Sequence, residues 1–209
     1  VTGLTTLNGS LTISSTGNQT FTGATTINNG GTFTRSSATG TNTLTGLLTI
    51  ANGGTFTTSN NPAFTIQGGI LNSGTFTSGT GTYTFDTNSQ TISGSAATNF
   101  GGAVAIAAGK TIQNSNTNTI TITGALTGGD ASSTWQNNAN ATTDFKGAVL
   151  VTGTLTATAN PNTIKYTGTS AQTVKATTYR HLEVSPSANT ITSPFAAGTV
   201  TVNGNLTFG

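Results

Sequence analysis

Apolar and polar residues alternate along most of this chain with a period of two. T-F-T and T-I-T triplets recur, with Phe or Ile flanked by Thr at residues 32–34, 55–57, 75–77 and 119–121. Alternation of this kind places one set of side chains on each face of a β-strand. No window offers apolar residues every three to four positions with few β-branched neighbours, so the pattern predicts strands and no helix. Gly, Asn and Ser separate the strands. Asn8-Gly9, Asn29-Gly30-Gly31, Asn52-Gly53-Gly54, Gly68-Gly69, Gly128-Gly129 and Asn203-Gly204 read as corners, because Gly and Asn accept positive φ. Pro62, Pro161, Pro186 and Pro194 fall in Asn- or Ser-rich surroundings that read as loops.

The alternation is itself repeated. GTFT begins at Gly31, Gly54 and Gly74, spaced 23 and then 20 residues apart. A G-x-L-T pattern recurs at Gly9, Gly46, Gly124, Gly153 and Gly204, and Gln-Thr-apolar at Gln19, Gln90 and Gln172. TNFGGAVAI from Thr98 matches TDFKGAVLV from Thr143, with a weaker echo in TTYRHLEV from Thr177. Repeats near 20 residues, each holding two or three short strands, predict a single-domain parallel β-solenoid over residues 1–209. At about 20 residues per coil and about 4.8 Å between stacked strands, roughly ten coils would form a rod about 50 Å long. Gly128 to Asn140, which contains Trp135, breaks the pattern and reads as a longer loop or bulge. The competing fold is a β-sandwich pilin joined by strand exchange, which would not need such repeats.

Composition narrows the partners. About a quarter of the 209 residues are Thr and only 5% are charged, six Lys or Arg against four Asp or Glu, for a net charge of +2. No basic run tracks a phosphate backbone, so nucleic acid and anionic membrane are poor partners, and no membrane insertion is expected. No apolar stretch approaches the roughly 20 residues of a membrane-spanning helix. Disordered chains combine low hydrophobicity with high net charge, whereas this one is rich in strand-forming residues and is expected to fold. With no Cys, stability rests on burial and backbone hydrogen bonding. A start at Val1, without Met or a signal-like stretch, suggests a processed protein or an excised segment.

SGTFTSGTGTYTFDTNSQTISG, from Ser73 and continuing through Phe100, resembles a repeat of very large predicted surface proteins of Bacteroidota and several candidate bacterial phyla. NTIKYTGTSAQTVKATTYRHLEVS from Asn162 resembles a second copy, and VTVNGNLTFG its continuation. The resemblance implies a secreted, extracellular β-solenoid or adhesin-like stalk. It carries no catalytic residues and no cofactor to transfer.

Enzymatic chemistry finds little to build on. Polysaccharide-active β-helices need clustered carboxylates, and Asp86, Asp130, Asp144 and Glu183 are scattered, although stacking could set Asp144 and Glu183 on neighbouring coils. His181 stands alone and reads as a solvent-facing strand residue rather than a base or metal ligand. No Ser or Thr has a recognisable His and acid partner. The chain is therefore read as a non-enzyme without metal or cofactor. Trp135, Tyr83, Tyr166 and Tyr179 could stack on sugars in a glycan-binding or adhesin module, but isolated aromatics read first as packing. Thr ladders can match an ice surface if they are regular, and here drifting coil length and bulky residues are expected to interrupt them. Asn8, Asn18, Asn140 and Asn205 are candidate N-glycosylation acceptors.

The ends carry the remaining signal. A solenoid exposes apolar stubs and unpaired strand edges unless its terminal coils are capped, and neither end shows a charged or helical cap. NGSLTI at Asn8–Ile13 and NGNLTF at Asn203–Phe208 read as the same strand near opposite ends. Leu4, Leu11, Ile13, Val202, Leu206 and Phe208 are thus candidate residues for end-to-end assembly. The partners are copies of this chain, head to tail, or adjacent repeats of a longer one. The expected role is a stalk or filament subunit of a bacterial surface fibre.

Overall fold

Each turn of the chain lays down three short strands joined by tight corners, beginning with Thr5–Leu7, Ser10–Ile13 and Gln19–Phe21. The computed structural model describes residues 1–186 and 195–209, among which there are strands and no helix. Strands from successive turns stack in parallel into three sheets. Sheet A holds eight strands, from Thr5–Leu7 to Thr154–Thr156, and is prolonged by pairings of Ala157 with Tyr179 and of Tyr179 with Val202. Sheet B holds ten, from Ser10–Ile13 to Leu206–Phe208. Sheet C holds six, from Gln19–Phe21 to Leu126–Gly128, and then thins to single bridges, Leu126 with Val149 and Val174 with Phe195. The protein is a parallel β-solenoid of about nine turns. Ten strands about 4.8 Å apart make a rod roughly 45 Å long. Among the described residues every strand pairing is parallel, which removes the antiparallel sandwich.

The GTFT repeat marks one place on the coil. Phe33, Phe56 and Phe76 pair in register in sheet B, each pointing inward between outward Thr residues. The leading Gly is required by close approach at the corner between sheets A and B. A Cβ on Gly31, Gly54 or Gly74 would lie 2.3, 2.6 or 2.4 Å from the carbonyl oxygen of Leu7, Ile27 or Ala51. The G-x-L-T pattern, by contrast, belongs to single strands: Leu11 and Leu206 lie in sheet B, Leu48 and Leu155 in sheet A, and Leu126 in sheet C. TNFGGAVAI and TDFKGAVLV both run from sheet B into sheet C, two turns apart. TTYRHLEV is out of phase with them, since Tyr179 pairs alongside sheet A and Leu182 lies in sheet B.

Coil length drifts, but the corners absorb the drift. Thr55 follows its partner Thr32 by 23 residues, Thr75 follows Thr55 by 20, and His181 follows Thr163 by 18, while sheet B remains in register throughout. The expected interruption of the Thr rows therefore does not occur in the turns from Thr32 to Thr77, because register is set by inward side chains and backbone pairing rather than by loop length.

The segment around Trp135 is a second correction. Thr134–Asn137 is a regular strand of sheet A, with Trp135 buried between Ile112 and Leu155. Its alternation was hidden because the other inward position is Asn137, a polar residue. Of the prolines, Pro62, Pro161 and Pro186 lie outside strands, and Pro194 falls outside the described residues.

Two kinds of material fill the interior. Phe33, Phe56 and Phe76 stack with centroids 5.2 and 5.1 Å apart and nearly parallel rings, and Phe64 stacks on Tyr83 at 5.3 Å. Each aromatic pair adds about 0.5–1.5 kcal/mol beyond the area it buries. Further along, buried Asn side chains line the corner between sheets A and B. The Asn114 amide donates to Asn137 Oδ1 at 3.0 Å and to Thr143 Oγ1 at 2.9 Å. Asn72 and Asn116 both donate to Thr98 Oγ1, at 3.1 and 3.2 Å.

Candidate functional site

Leu11, Phe33, Phe56 and Phe76 begin one inward column of sheet B that closes with Leu182 and Leu206. The two terminal members occupy core positions, yet Leu206 is 46% exposed and Leu11 half-buried. The neighbouring column ends the same way: Ile13 is half-buried and Phe208 63% exposed. Leu4 is 82% exposed at the first turn, and Val202 is half-buried at the last. All six residues expected to mediate assembly thus lie on the two end faces. Along sheet C the first turn is partly flanked, since the Val1 carbonyl accepts from the Thr22 amide at 3.0 Å. Among the described residues no strand pairs with the outer edge of Ser10–Ile13 or of Leu206–Phe208. Each end therefore offers a row of unpaired backbone groups beside uncovered apolar side chains.

The charged residues form a ladder, not a catalytic pair. Asp144, Lys165 and Glu183 pair across three successive strands of sheet B, so the cation separates the two carboxylates by a full turn, and they do not meet on neighbouring coils. Lys165 Nζ lies 2.8 Å from Glu183 Oε2, and that hydrogen bond holds the Glu183 carboxyl below its ordinary range, helped by the Ser185 hydroxyl. Asp144 accepts from Thr167 Oγ1 at 2.6 Å and lies 3.5 Å from Lys146 Nζ. His181 sits on the same sheet, half-buried, its Nδ1 accepting from the Asn205 amide at 3.0 Å. Asp86 takes a hydrogen bond from the Thr87 hydroxyl at a corner. Asp130 caps a turn: the Gly109 amide and the Ser132 and Ser133 groups donate to one of its oxygens and hold its pKa at about 2. Among the described residues no three His, Asp or Glu side chains gather into a metal site.

Trp135, Tyr83, Tyr166 and Tyr179 are all buried, so none presents a ring to a sugar. The Tyr166 and Tyr179 hydroxyls lie 3.1 Å apart, and burial raises the pKa of both. The four glycosylation candidates, Asn8, Asn18, Asn140 and Asn205, are exposed and outside strands. A groove of about 400 Å³ opens where sheet C thins, lined by Val149, Leu150, Val151, Ala171 and Lys175. Lys175 Nζ donates there to the Leu150 carbonyl, and partial burial lowers its pKa.

Three polar devices escaped the sequence reading. Arg35 is fully buried at a corner between sheets B and C, donating to Asn42 Oδ1 at 2.5 Å and to the carbonyls of Ile13, Ser15 and Thr39 at 3.1, 2.7 and 3.0 Å. Desolvation lowers its pKa. In two of the three Gln-Thr-apolar motifs the Gln is a corner staple: Gln90 Nε2 donates to the Ile66 and Asp86 carbonyls while its Oε1 accepts from Gly69, and Gln172 bonds Phe145, Gly147 and Gly168, whereas Gln19 donates to Ser15 and Gly17 of its own corner. The third device is the Asn row of the A–B corner. The recurrence of Gln before Thr was the available signal for the staple; nothing local distinguished Arg35 from a surface cation.

No protein-family model matches the chain, and neither the curated proteins nor the solved structures contain a match to it.

Proposed function

We infer that this solenoid is a structural rod, a stalk or filament segment outside a bacterial cell, whose end coils continue onto further coils. The observation that carries the reading is the pair of matching terminal strands, Ser10–Ile13 and Leu206–Phe208, which open and close the same sheet with their core side chains uncovered. The next coil belongs either to another stretch of a longer chain or to a second copy set head to tail. Stacking it on Leu206–Phe208 would complete both inward columns and pair the free edge. Near neutrality along the rod suits exposure to media of varied salt and pH. The burial of Trp135, Tyr83, Tyr166 and Tyr179 takes from the glycan-binding alternative the rings it called on, and the dispersed carboxylates give the polysaccharide-active alternative no support.

The test is light scattering and negative-stain electron microscopy of the 209-residue chain. Expected are linear end-to-end species that grow with concentration and revert to single rods in a Leu206→Asp, Phe208→Asp variant. Single rods at every concentration, or an unchanged variant, would overturn head-to-tail stacking of copies and leave continuation within a longer chain as the form of the reading.

A further inference from the structure

The outward face of sheet B holds a two-dimensional array. On three consecutive turns the outward positions are Thr32 with Thr34, Thr55 with Thr57, and Thr75 with Thr77, and backbone pairing places each residue beside its counterpart on the next turn. The turn below them adds Ser10 and Thr12. After Ala97 and Asn99, the pair returns at Thr119 and Thr121. Neighbours within a pair are about 6.7 Å apart along the strand, and counterparts about 4.8 Å apart across strands. Stacking held by internal side-chain ladders is the condition under which a sheet stays flat over many strands, and the Phe33–Phe56–Phe76 stack lies directly beneath.

Two further features suit this face to a neutral solid. Among the described residues, the hydroxyls of these Thr pairs make no hydrogen bond to protein, whereas Thr98, Thr143 and Thr167 spend theirs on Asn72, Asn137 and Asp144. The array also carries no charge until Asp144 enters the column. Sheet C shows only part of this pattern: its outward Thr20, Thr43, Thr65 and Thr84 form one column, while the second begins with Thr22 and Thr45 and passes to Gln67 and Asp86.

We propose that the Thr face of sheet B binds the surface of ice. Repeats of about 4.8 and 6.7 Å fall close to those of the hexagonal ice lattice, so rows of hydroxyls and methyls can hold water in an ice-like arrangement. The β-branched Thr side chain has few rotamers, so little freedom is lost when it is immobilised against a solid. A neutral lattice is also the partner that an uncharged array suits, since a phosphate backbone or anionic membrane would call for cations. The inference does not depend on end-to-end assembly, and single rods should show it as well.

The test is growth of single ice crystals in supercooled solutions of the purified chain, with fluorescently labelled protein to report adsorption. Faceted crystals, a gap between melting and freezing points, and adsorbed label are expected. Thr57→Tyr, at the centre of the array, should abolish all three, and the Thr34→Ser, Thr57→Ser double variant should lose most of the gap. Thr65→Tyr, on sheet C, should behave as wild type. Circular dichroism melts establish that each variant is folded. Rounded crystals indistinguishable from buffer, equal loss in Thr57→Tyr and Thr65→Tyr, or full activity in Thr57→Tyr would overturn the proposal.

Discussion

The two halves of sheet B are built from different chemistry on one backbone. From Thr32 to Thr77 the inward column is stacked Phe and the outward columns are Thr. From Thr142 to Glu183 the inward side includes Thr143, tied to Asn114, Asn137 and Trp135, and the outward side carries Asp144, Lys165 and Glu183. The first half is held mainly by its stacked rings, with the hydrogen-bonded Arg35 beside them, whereas the second sets the hydrogen-bonded Thr143 into a column otherwise filled by Ile164 and Leu182. Both give the same inter-strand register, so register follows from continuity of the backbone ladder, and the core chemistry decides how each half fails. An apolar ladder loses stability when a ring leaves a void. A polar ladder loses it when one amide leaves several partners unpaired.

The largest effect should come from the apolar half. Phe56→Ala removes a ring packed between Phe33 and Phe76, and calorimetry should show a loss of about 3–5 kcal/mol. Asn114→Ala, on sheet A beside Thr143, should cost less, about 1–3 kcal/mol, because the Asn116 amide loses its acceptor and Asn137 and Thr143 each keep one donor fewer. Equal losses would erase the contrast. Gly54→Ala should cost about 1–3 kcal/mol, because its Cβ would sit 2.6 Å from the Ile27 carbonyl; a neutral result would mean that the corner can give way. Lys165→Ala, on the partly exposed ladder, should cost at most about 1 kcal/mol and less in high salt.

Acid provides the finest discrimination. Glu183 has a depressed folded pKa, so its contribution is full above the unfolded value of about 4.3 and is lost as pH falls through the lowered folded value. Asp130 follows the same sign, its contribution fading between about 4 and about 2. Melting temperatures measured from pH 6 to pH 2 should show a shallow decline that Asp130→Asn and Lys165→Ala each flatten. A steep loss of stability already above pH 5 would mean that acid acts on something other than these two carboxylates, whose contributions begin to fade only near their unfolded values of about 4.

Legibility in the sequence followed the chemistry of the inward positions. Where Phe or Ile alternates with Thr, as at Thr32–Arg35 and Thr55–Thr58, strand, face and corner could all be read. Where Asn or Thr faces inward, as at Asn137 and Thr143, alternation lost its contrast and a regular strand passed for a loop. Arg35 went unread for a related reason: a cation satisfied by backbone carbonyls of another turn has no local signature. The matching end strands were legible because NGSLTI and NGNLTF repeat, while the Thr array could not be judged from coil lengths that vary from turn to turn.

Sequence alone determined the all-β class, the parallel stacking implied by repeats near 20 residues, and the neutral Thr-rich exterior, because these depend on alternation and composition that any short window displays. Only the tertiary structure decided which strands share a sheet, which Thr pairs align into an array, which polar side chains are interior, and that, among the described residues, neither end strand of sheet B has a partner on its outer edge. Those depend on contacts between residues 18 to 24 positions apart, and corners of variable length conceal that separation from any local reading.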